Sequence, residues 1–180
     1  RDTDRSRGLG DVYKRQVGYD MYLKLLGEAV SEEKGEAAQS ADLDCLIDIS
    51  VNAHIPESYV ESLTLRLDVY RRIADIRNKE DSLDVKDELK DRFGEIPESV
   101  LGLIDIALIR NCANAMGIYE IRQTDTNVLL FVKEIKSPKV IELLSRLNGR
   151  AMLSAGNKPY ITIRCGGGSS LDMLKKVFKI

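Results

Sequence analysis

The sequence predicts an α+β fold, and three patterns lead to this prediction. Apolar residues recur at helical spacing through most of residues 58–116. A segment near residue 50 alternates apolar and polar residues with a period of two, which is typical of a strand. After Gly117 the apolar residues form short runs between turn residues. We therefore expect N-terminal helices with one strand, then a β-β-α-β-β-α half with a small, mainly antiparallel sheet and a candidate seam near Gly117.

The N-terminal residues divide into a tail, a helix and a loop. Residues 1–16 show no helix or strand period, and eight of them are charged. They are either a basic arm or a non-native or disordered tail. A helical pattern follows at Tyr19, Tyr22, Leu23, Leu26, Ala29 and Val30. Residues 31–42 are small and polar and indicate a flexible loop. The domain is expected to span residues 17–180, with residues 1–16 outside it.

The clearest strand pattern runs from Ile47 to Ile55 and is ended by Pro56. His54, the one histidine, falls on its polar face without ligand or catalytic partners nearby, so we interpret it as a surface or interface residue. The next helix starts at Ser58, where a capping box is possible, or at Ser62. Its expected apolar side consists of Leu63, Leu67, Tyr70, Ile73 and Ala74.

The central stretch from Asp84 to Pro97 predicts a helix with two different sides. Val85, Leu89 and Phe93 fall on one side, and the helix ends at Gly94. The acidic side carries Asp84, Asp87, Glu88 and Asp91, with Arg92 at the seam. Pro97 opens another helix. As far as Arg110, this helix is apolar over more than half of its circumference, so it should be the buried spine of the domain.

The C-terminal part predicts two hairpins, each followed by a helix. The hairpin strands are expected at residues 118–122 and 128–132, then at 151–153 and 160–164. A helix from Ser137-Pro138 to Leu147 lies between the hairpins, and the last helix is capped by Ser169 or Ser170.

Composition and motifs exclude several classes of function. The formal net charge of −2 argues against a dedicated nucleic-acid-binding protein. Cys45, Cys112 and Cys165 lack metal-site spacing, and the Gly166–Ser170 segment lacks the lysine and spacing of a phosphate-binding loop. We expect no catalytic residue, no cofactor and no metal ion. No apolar run approaches the ~20 residues of a membrane span, and the expected location is cytoplasmic.

Four blocks in one order carry a family resemblance. They are Val17–Leu26, Ala53–Val60, Arg66–Arg72 and Glu88–Pro97. Together they resemble the C-terminal domain of bacterial transcription-repair coupling factors over about residues 17–180. The resemblance implies a parent that is an ATP-dependent DNA translocase in transcription-coupled nucleotide-excision repair. Its helicase motifs and ATP site lie upstream in the family, so this fragment is expected not to be an enzyme.

The resemblance also implies a regulatory role. In the family, this domain docks on the UvrB-like N-terminal module of its own chain and masks the surface that binds UvrA. Through the parent it is indirectly connected to UvrA and RNA polymerase. The docking residues of the family correspond to Glu88, Asp91 and Arg92, whose spacing places them on one helix face. Composition alone leaves a solvated acidic face and a docking face both open, and the resemblance favours docking.

The alternative hypothesis is a nucleic-acid-binding accessory module of a helicase. It would use the basic residues Arg66, Arg71, Arg72, Lys175 and Lys176. Acidic neighbours dilute the arginines, and the acidic balance of the whole chain predicts little direct binding of nucleic acid.

Overall fold

The computed structural model describes residues 45–147, 149–165 and 168–180. The helices are α1 Leu63–Ala74, α2 Lys79–Phe93, α3 Glu98–Ala115, α4 Pro138–Leu147 and α5 Ser170–Phe178. The strands are β1 Leu46–Asp48, β2 Ile118–Gln123, β3 Asn127–Val132, β4 Ala151–Ser154 and β5 Tyr160–Arg164. This order confirms the α+β prediction. The expected tail, first helix and loop of residues 1–42 lie outside the described residues, as do Gly166 and Gly167.

The chain divides into two compact units. Of the described residues, 52–104 form the first unit, and 45–51 with 105–180 form the second. Helix α3 therefore contributes its residues up to Ile104 to one unit and those from Asp105 to the other. The domain span of residues 17–180 and the seam at Gly117 stay predictions.

Helix α1 of the first unit begins at the later of the two expected positions. The Ser62 side chain accepts a hydrogen bond from the Leu65 amide, at 3.4 Å, whereas Ser58 lies in a preceding turn. A capping box at Ser58 is therefore wrong. The predicted apolar side is also partly wrong, because Leu63 at the first helical position is 56% exposed. The buried residues are Val69, Tyr70 and Ile73.

Helix α2 is longer than its apolar pattern indicated. It starts at Lys79 because the Asn78 side chain accepts a hydrogen bond from the Asp81 amide at 2.9 Å. The predicted apolar side is confirmed for Val85 and Leu89, which are 0% and 1% exposed. The helix ends as expected at Gly94, whose φ of +83° is a conformation that favours glycine.

Helix α3 is the buried spine that the sequence predicted. Every residue from Gly102 to Arg110 is buried. Pro97 lies just before the helix, and its carbonyl accepts hydrogen bonds from the Val100 and Leu101 amides at 3.0 and 3.1 Å. Asp105 is buried within the helix and forms an ion pair with Lys175 of α5 at 2.7 Å.

The five strands of the second unit form one sheet in the order β1-β2-β3-β5-β4. Only β1 and β2 are parallel, so the prediction of a mainly antiparallel sheet is confirmed. The expected nine-residue strand from Ile47 to Ile55 is wrong, because pairing stops at Asp48. Beyond it the Ser50 amide bonds the Gln123 side chain at 2.9 Å instead of a strand carbonyl. The Ile55 amide bonds the Tyr70 hydroxyl at 3.0 Å, within the first unit.

The register gives the sheet two different faces. One row of cross-strand neighbours consists of Ile47, Ile121, Leu130 and Ile161, each at most 2% exposed. The adjacent row on the opposite face consists of Asp48, Arg122, Leu129, Thr162 and Met152, none of which is buried. The first face supplies the core of the second unit, whereas the second face carries polar and partly exposed side chains.

Both predicted hairpins and the helix between them are confirmed. In the first hairpin the Thr124 amide donates to the Asn127 carbonyl at 2.8 Å. In α4 the buried residues are Val140 and Leu143. Ser169 occupies the N-cap position of α5, although its side chain makes no capping hydrogen bond there.

Truncation of Leu89 should distinguish the buried side of α2 from its exposed side. We expect Leu89→Ala to lower the free energy of unfolding by about 2–5 kcal/mol, because it leaves a cavity in the first unit. The control on the same helix is Leu83→Ala, at a position 52% exposed, which should cost no more than about 0.5 kcal/mol. Urea unfolding monitored by circular dichroism measures both, and equal losses would contradict the assigned orientation of α2.

Candidate docking site on helix α2

The C-terminal end of α2 is held in place by Tyr59. The Tyr59 hydroxyl lies 3.1 Å from the Leu89 carbonyl oxygen and 3.4 Å from that of Gly94. Its ring meets the Phe93 ring edge to face, with the centroids 5.8 Å apart. Burial, and secondarily the charge of Glu95, raises the pKa of Tyr59 above its ordinary value. The last turn of α2 is therefore fixed from outside the helix as well as by its own hydrogen bonds.

Glu88 is clamped between two arginines. Its Oε2 lies 3.1 Å from Nε of Arg72 on α1, and its Oε1 lies 2.8 Å from Nη1 of Arg92, one turn later on α2. Hydrogen bonds from Arg72, and then from Arg92, lower the pKa of Glu88. Its carboxylate is thus ionised and oriented at neutral pH, while 35% of the side chain stays exposed.

Arg92 is positioned by two contacts. In addition to the bond with Glu88, its guanidinium carbon lies 5.0 Å from the centroid of the Phe93 ring, within the range of a cation–π interaction. The side chain is 44% exposed. Arg92 therefore presents a planar cation at the surface without being free to rotate through all of its rotamers.

Asp91 is the open carboxylate of the predicted set. It is exposed, and its side chain has no hydrogen bond or ion pair with any residue that the structure describes. The structure thus brings Glu88 and Arg92 together and leaves Asp91 beside them, facing solvent. We call these three residues with Arg72 the α2 docking site.

Arg72 is the member of this site that the sequence did not indicate. From the sequence, Arg72 was expected to be one of the basic residues of α1 that are solvated or bind phosphate. Its bond to Glu88 joins positions sixteen residues apart on different helices. A local period cannot reveal such a pair, because it depends on how α1 and α2 pack.

The basic residues of the nucleic-acid hypothesis are mostly engaged within the domain. Arg66 donates to the carbonyls of Val60 and Glu61 at 2.9 and 3.0 Å, and only 12% of its side chain is exposed. Arg71 pairs with Asp68 at 3.6 Å, and Lys175 with Asp105 at 2.7 Å. Only Lys176 of the five has no such contact among the described residues. This arrangement favours internal ion pairs over a phosphate-binding surface.

The described residues were also searched for a metal site, a reactive histidine or cysteine, and a membrane-spanning helix. No group of three or more His, Cys, Asp or Glu side chains placed to hold a metal ion occurs among the residues that the structure describes. His54 is half-buried, and all three cysteines are free thiols. No helix in the described ranges is long and apolar enough to cross a membrane.

The sequence was compared with known families and proteins. A sequence model of the TRCF domain matches residues 49–142, just over half of the chain. The chain belongs to the TRCF domain family. This result confirms the resemblance to transcription-repair coupling factors, and the matched range includes all four residues of the α2 docking site.

Full-length relatives of this TRCF domain are much longer than the chain. The transcription-repair-coupling factor of Bacillus subtilis is 30% identical over 184 residues, which is 95% of this chain and 16% of the relative. That of Staphylococcus epidermidis is 32% identical over 144 residues, 76% of this chain and 12% of the relative. That of Mycobacterium tuberculosis is 35% identical over 132 residues, 64% of this chain and 11% of the relative. The chain thus spans at most about a sixth of these proteins.

A solved structure has a similar fold. The crystal structure of the C-terminal domain of a transcription-repair coupling factor matches with a TM-score of 0.66 and 18% sequence identity, over 75% of this chain and 88% of that chain. At this identity the match establishes the fold alone.

The clamp on Glu88 gives a pH-dependent prediction. We expect Arg72→Gln to raise the pKa of Glu88 toward its usual value of 4.5, because it removes the largest cause of the lowering. An NMR titration of the Glu88 side-chain carboxyl carbon measures this. Because the pKa is lower in the folded than in the unfolded state, the pair stabilises the fold above the unfolded-state pKa. That stabilisation is lost as the pH falls through the folded-state pKa. Its size should stay below about 1 kcal/mol, since the groups are well exposed.

The adjacent Arg71 provides the control for this titration. Arg71→Gln removes the same charge from the same helix, but Arg71 pairs with Asp68 rather than with Glu88. The pKa of Glu88 should hardly change in this variant. An equal rise in both variants would mean that general charge, and not the Arg72 contact, sets the pKa.

Proposed function

We propose that the chain is a regulatory domain without catalytic activity of its own, at the C-terminal end of a transcription-repair coupling factor. It docks through the α2 docking site on the UvrB-like module of its parent chain and covers the surface that binds UvrA. The observation that supports this proposal most directly is the pre-ordered charge at the end of α2. Glu88 is fixed by Arg72 and Arg92, and Asp91 lies beside it with an open carboxylate.

The site is suited to a partner surface that carries arginine. The Asp91 carboxylate can accept two parallel hydrogen bonds from one guanidinium. Each oxygen of Glu88 has a second lone pair after bonding to Arg72 or Arg92 and can accept a further donor. Arg92 can in turn meet a carboxylate of the partner. A matching surface would therefore be mainly basic with an acidic neighbour, and it would not need to be apolar.

Pre-ordering lowers the cost of docking. A long side chain that is immobilised at an interface loses roughly 0.5–1.5 kcal/mol of conformational entropy. The Glu88 and Arg92 side chains have lost part of this freedom before any partner arrives, because each is held by contacts within the first unit. The remaining interaction is between exposed charges, so it is modest and salt-sensitive. Such an interface can open again, as regulation requires.

The rest of the proposed activity belongs to the parent. The parent is an ATP-dependent DNA translocase that acts on stalled RNA polymerase in nucleotide-excision repair, in the cytoplasm. Its ATP site would lie in the large part of the relatives that this chain does not cover. The domain itself reaches UvrA and RNA polymerase only through that parent, and it needs no cofactor.

Reversal of charge at the site tests the proposal. We expect the chain to bind a separately expressed UvrB-like module of its parent, with an affinity that falls as salt is raised. Glu88→Arg combined with Asp91→Arg should weaken binding at least about tenfold, because two attractive charges become repulsive. Isothermal titration calorimetry at two salt concentrations measures this. The same variant of the full parent should bind UvrA without prior activation.

A matched double variant keeps the test specific. Glu134→Arg with Glu142→Arg produces the same change in net charge at exposed positions of the second unit. Its binding should resemble that of the unchanged chain. Loss of binding in both double variants would indicate a general charge effect. Unchanged binding in the Glu88 and Asp91 variant would remove these residues from the interface.

A further inference from the structure

A groove of about 630 Å³ opens in the second unit. Its lining residues lie later in the sequence than those of the α2 docking site. It is lined by the β4–β5 hairpin with its flanking residues and by helix α5. Its charged and large apolar residues are Arg150, Arg164, Lys176, Asp172, Met152 and Met173. None of these residues has a part in the function proposed above.

The groove is strongly biased toward positive charge. Three cations line it against the single carboxylate of Asp172, in a chain whose net charge is −2. Arg150, Arg164 and Lys176 are exposed, and none has an ion pair with another residue that the structure describes. Elsewhere in the domain, Arg71, Arg72, Arg92 and Arg122 each pair with a carboxylate. The groove therefore concentrates cations whose charge is not compensated within the described domain.

Apolar surface accompanies these cations. Met152 is 65% exposed and stands opposite Thr162 in the register, so both contribute to the wall of the groove. Met173 lines the opposite side, from α5. Methionine side chains are flexible and polarizable, and they adapt to different apolar groups of a partner. The neighbouring Leu153 is 42% exposed as well.

The strand beside the groove has an open edge. β4 is the last strand in the order of the sheet, and among the described residues it pairs only with β5. β4 is short, at four residues, but Ala151–Ser154 include neither proline nor a charged residue, which are two other devices that protect an edge strand. An extended segment can add to such an edge through main-chain hydrogen bonds, with its side chains read by adjacent pockets.

We propose that the β4 edge and this groove bind an extended peptide segment of a partner protein, in which every second residue faces the groove and these residues include both acidic and apolar side chains. Arg150 and Arg164 lie on the same face of the sheet as Met152. In an extended segment every second side chain lies on one face, so the acidic and the apolar side chains that bind the groove are two positions apart. Carboxylates would meet Arg150, Arg164 and Lys176, while apolar side chains would contact Met152 and Met173. A peptide fits better than a nucleic acid, because none of the described residues that line the groove is aromatic and could stack a base.

This inference is independent of the proposed masking function. It concerns other residues, a ligand of opposite charge and a different mode of recognition. Failure of the α2 docking site to bind the UvrB-like module would leave the groove unaffected, and the reverse is also true.

Selection from a random peptide library, with the whole chain immobilised, tests the inference. We expect the enriched peptides to carry more Asp and Glu than the starting library, interspersed with apolar residues. A labelled enriched peptide should then bind in fluorescence anisotropy. Its affinity should fall at least about tenfold in Arg150→Glu/Arg164→Glu and also in Lys176→Glu, because attraction becomes repulsion. Lys136→Glu/Lys158→Glu, at exposed positions outside the groove lining, should leave the affinity nearly unchanged.

Methyl NMR locates the bound peptide. The resonances of Met152 and Met173 should shift on addition of the peptide, whereas that of Met116, which does not line the groove, should not. No enrichment of acidic residues, or peptide affinity that is unchanged in both groove variants, would overturn the proposal. Displacement of the peptide by single-stranded thymidine oligonucleotide at equal concentration would also overturn it, in favour of nucleic acid.

Discussion

The burial of helix α3 is the constraint on which the rest of this structure depends. From Gly102 to Arg110 no position of the helix faces solvent, so apolar side chains must cover it all the way round. The helix belongs to the first unit up to Ile104 and to the second unit from Asp105. Burial also includes Asp105, and a buried carboxylate needs a partner, which it finds in Lys175 of the last helix.

The parts of the fold that local chemistry determines could be predicted from the sequence. A periodic apolar side followed by a glycine indicated where α2 ends, and short apolar runs between turn residues indicated both hairpins. The largest error, the length of β1, lies where distant residues decide. Beyond Asp48 the Ser50 amide bonds the Gln123 side chain, and the Ile55 amide bonds the Tyr70 hydroxyl within the first unit, so neither continues the strand pairing of β1. The period of two continues past that point, since an extended chain alternates its side chains whether or not it is paired.

The candidate site shows the same limit. The spacing of Glu88, Asp91 and Arg92 was sufficient to place them on one face of a helix. It could not show that Glu88 also bonds Arg72 across two helices, and this contact changes the character of the site. The charge of Glu88 is partly balanced within the domain, so the exposed Asp91 contributes the least compensated negative charge of the predicted three. Tyr59, which holds the end of α2, was likewise invisible to any pattern within the helix.

A small polar surface is energetically sufficient for the proposed masking within one chain, although it binds the same module only weakly when the two are separate. Exposed ion pairs contribute at most about 1 kcal/mol each, so two or three of them give weak association. Two modules of one polypeptide, however, meet at an effective concentration that can reach roughly the millimolar range, and even weak contacts then keep the docked state populated. A segment from a separate protein has no such advantage and needs main-chain hydrogen bonds and buried apolar area as well. The structure offers these at the β4 edge rather than on α2. The contrast between the two surfaces thus agrees with an intramolecular role for α2 and an intermolecular one for the groove.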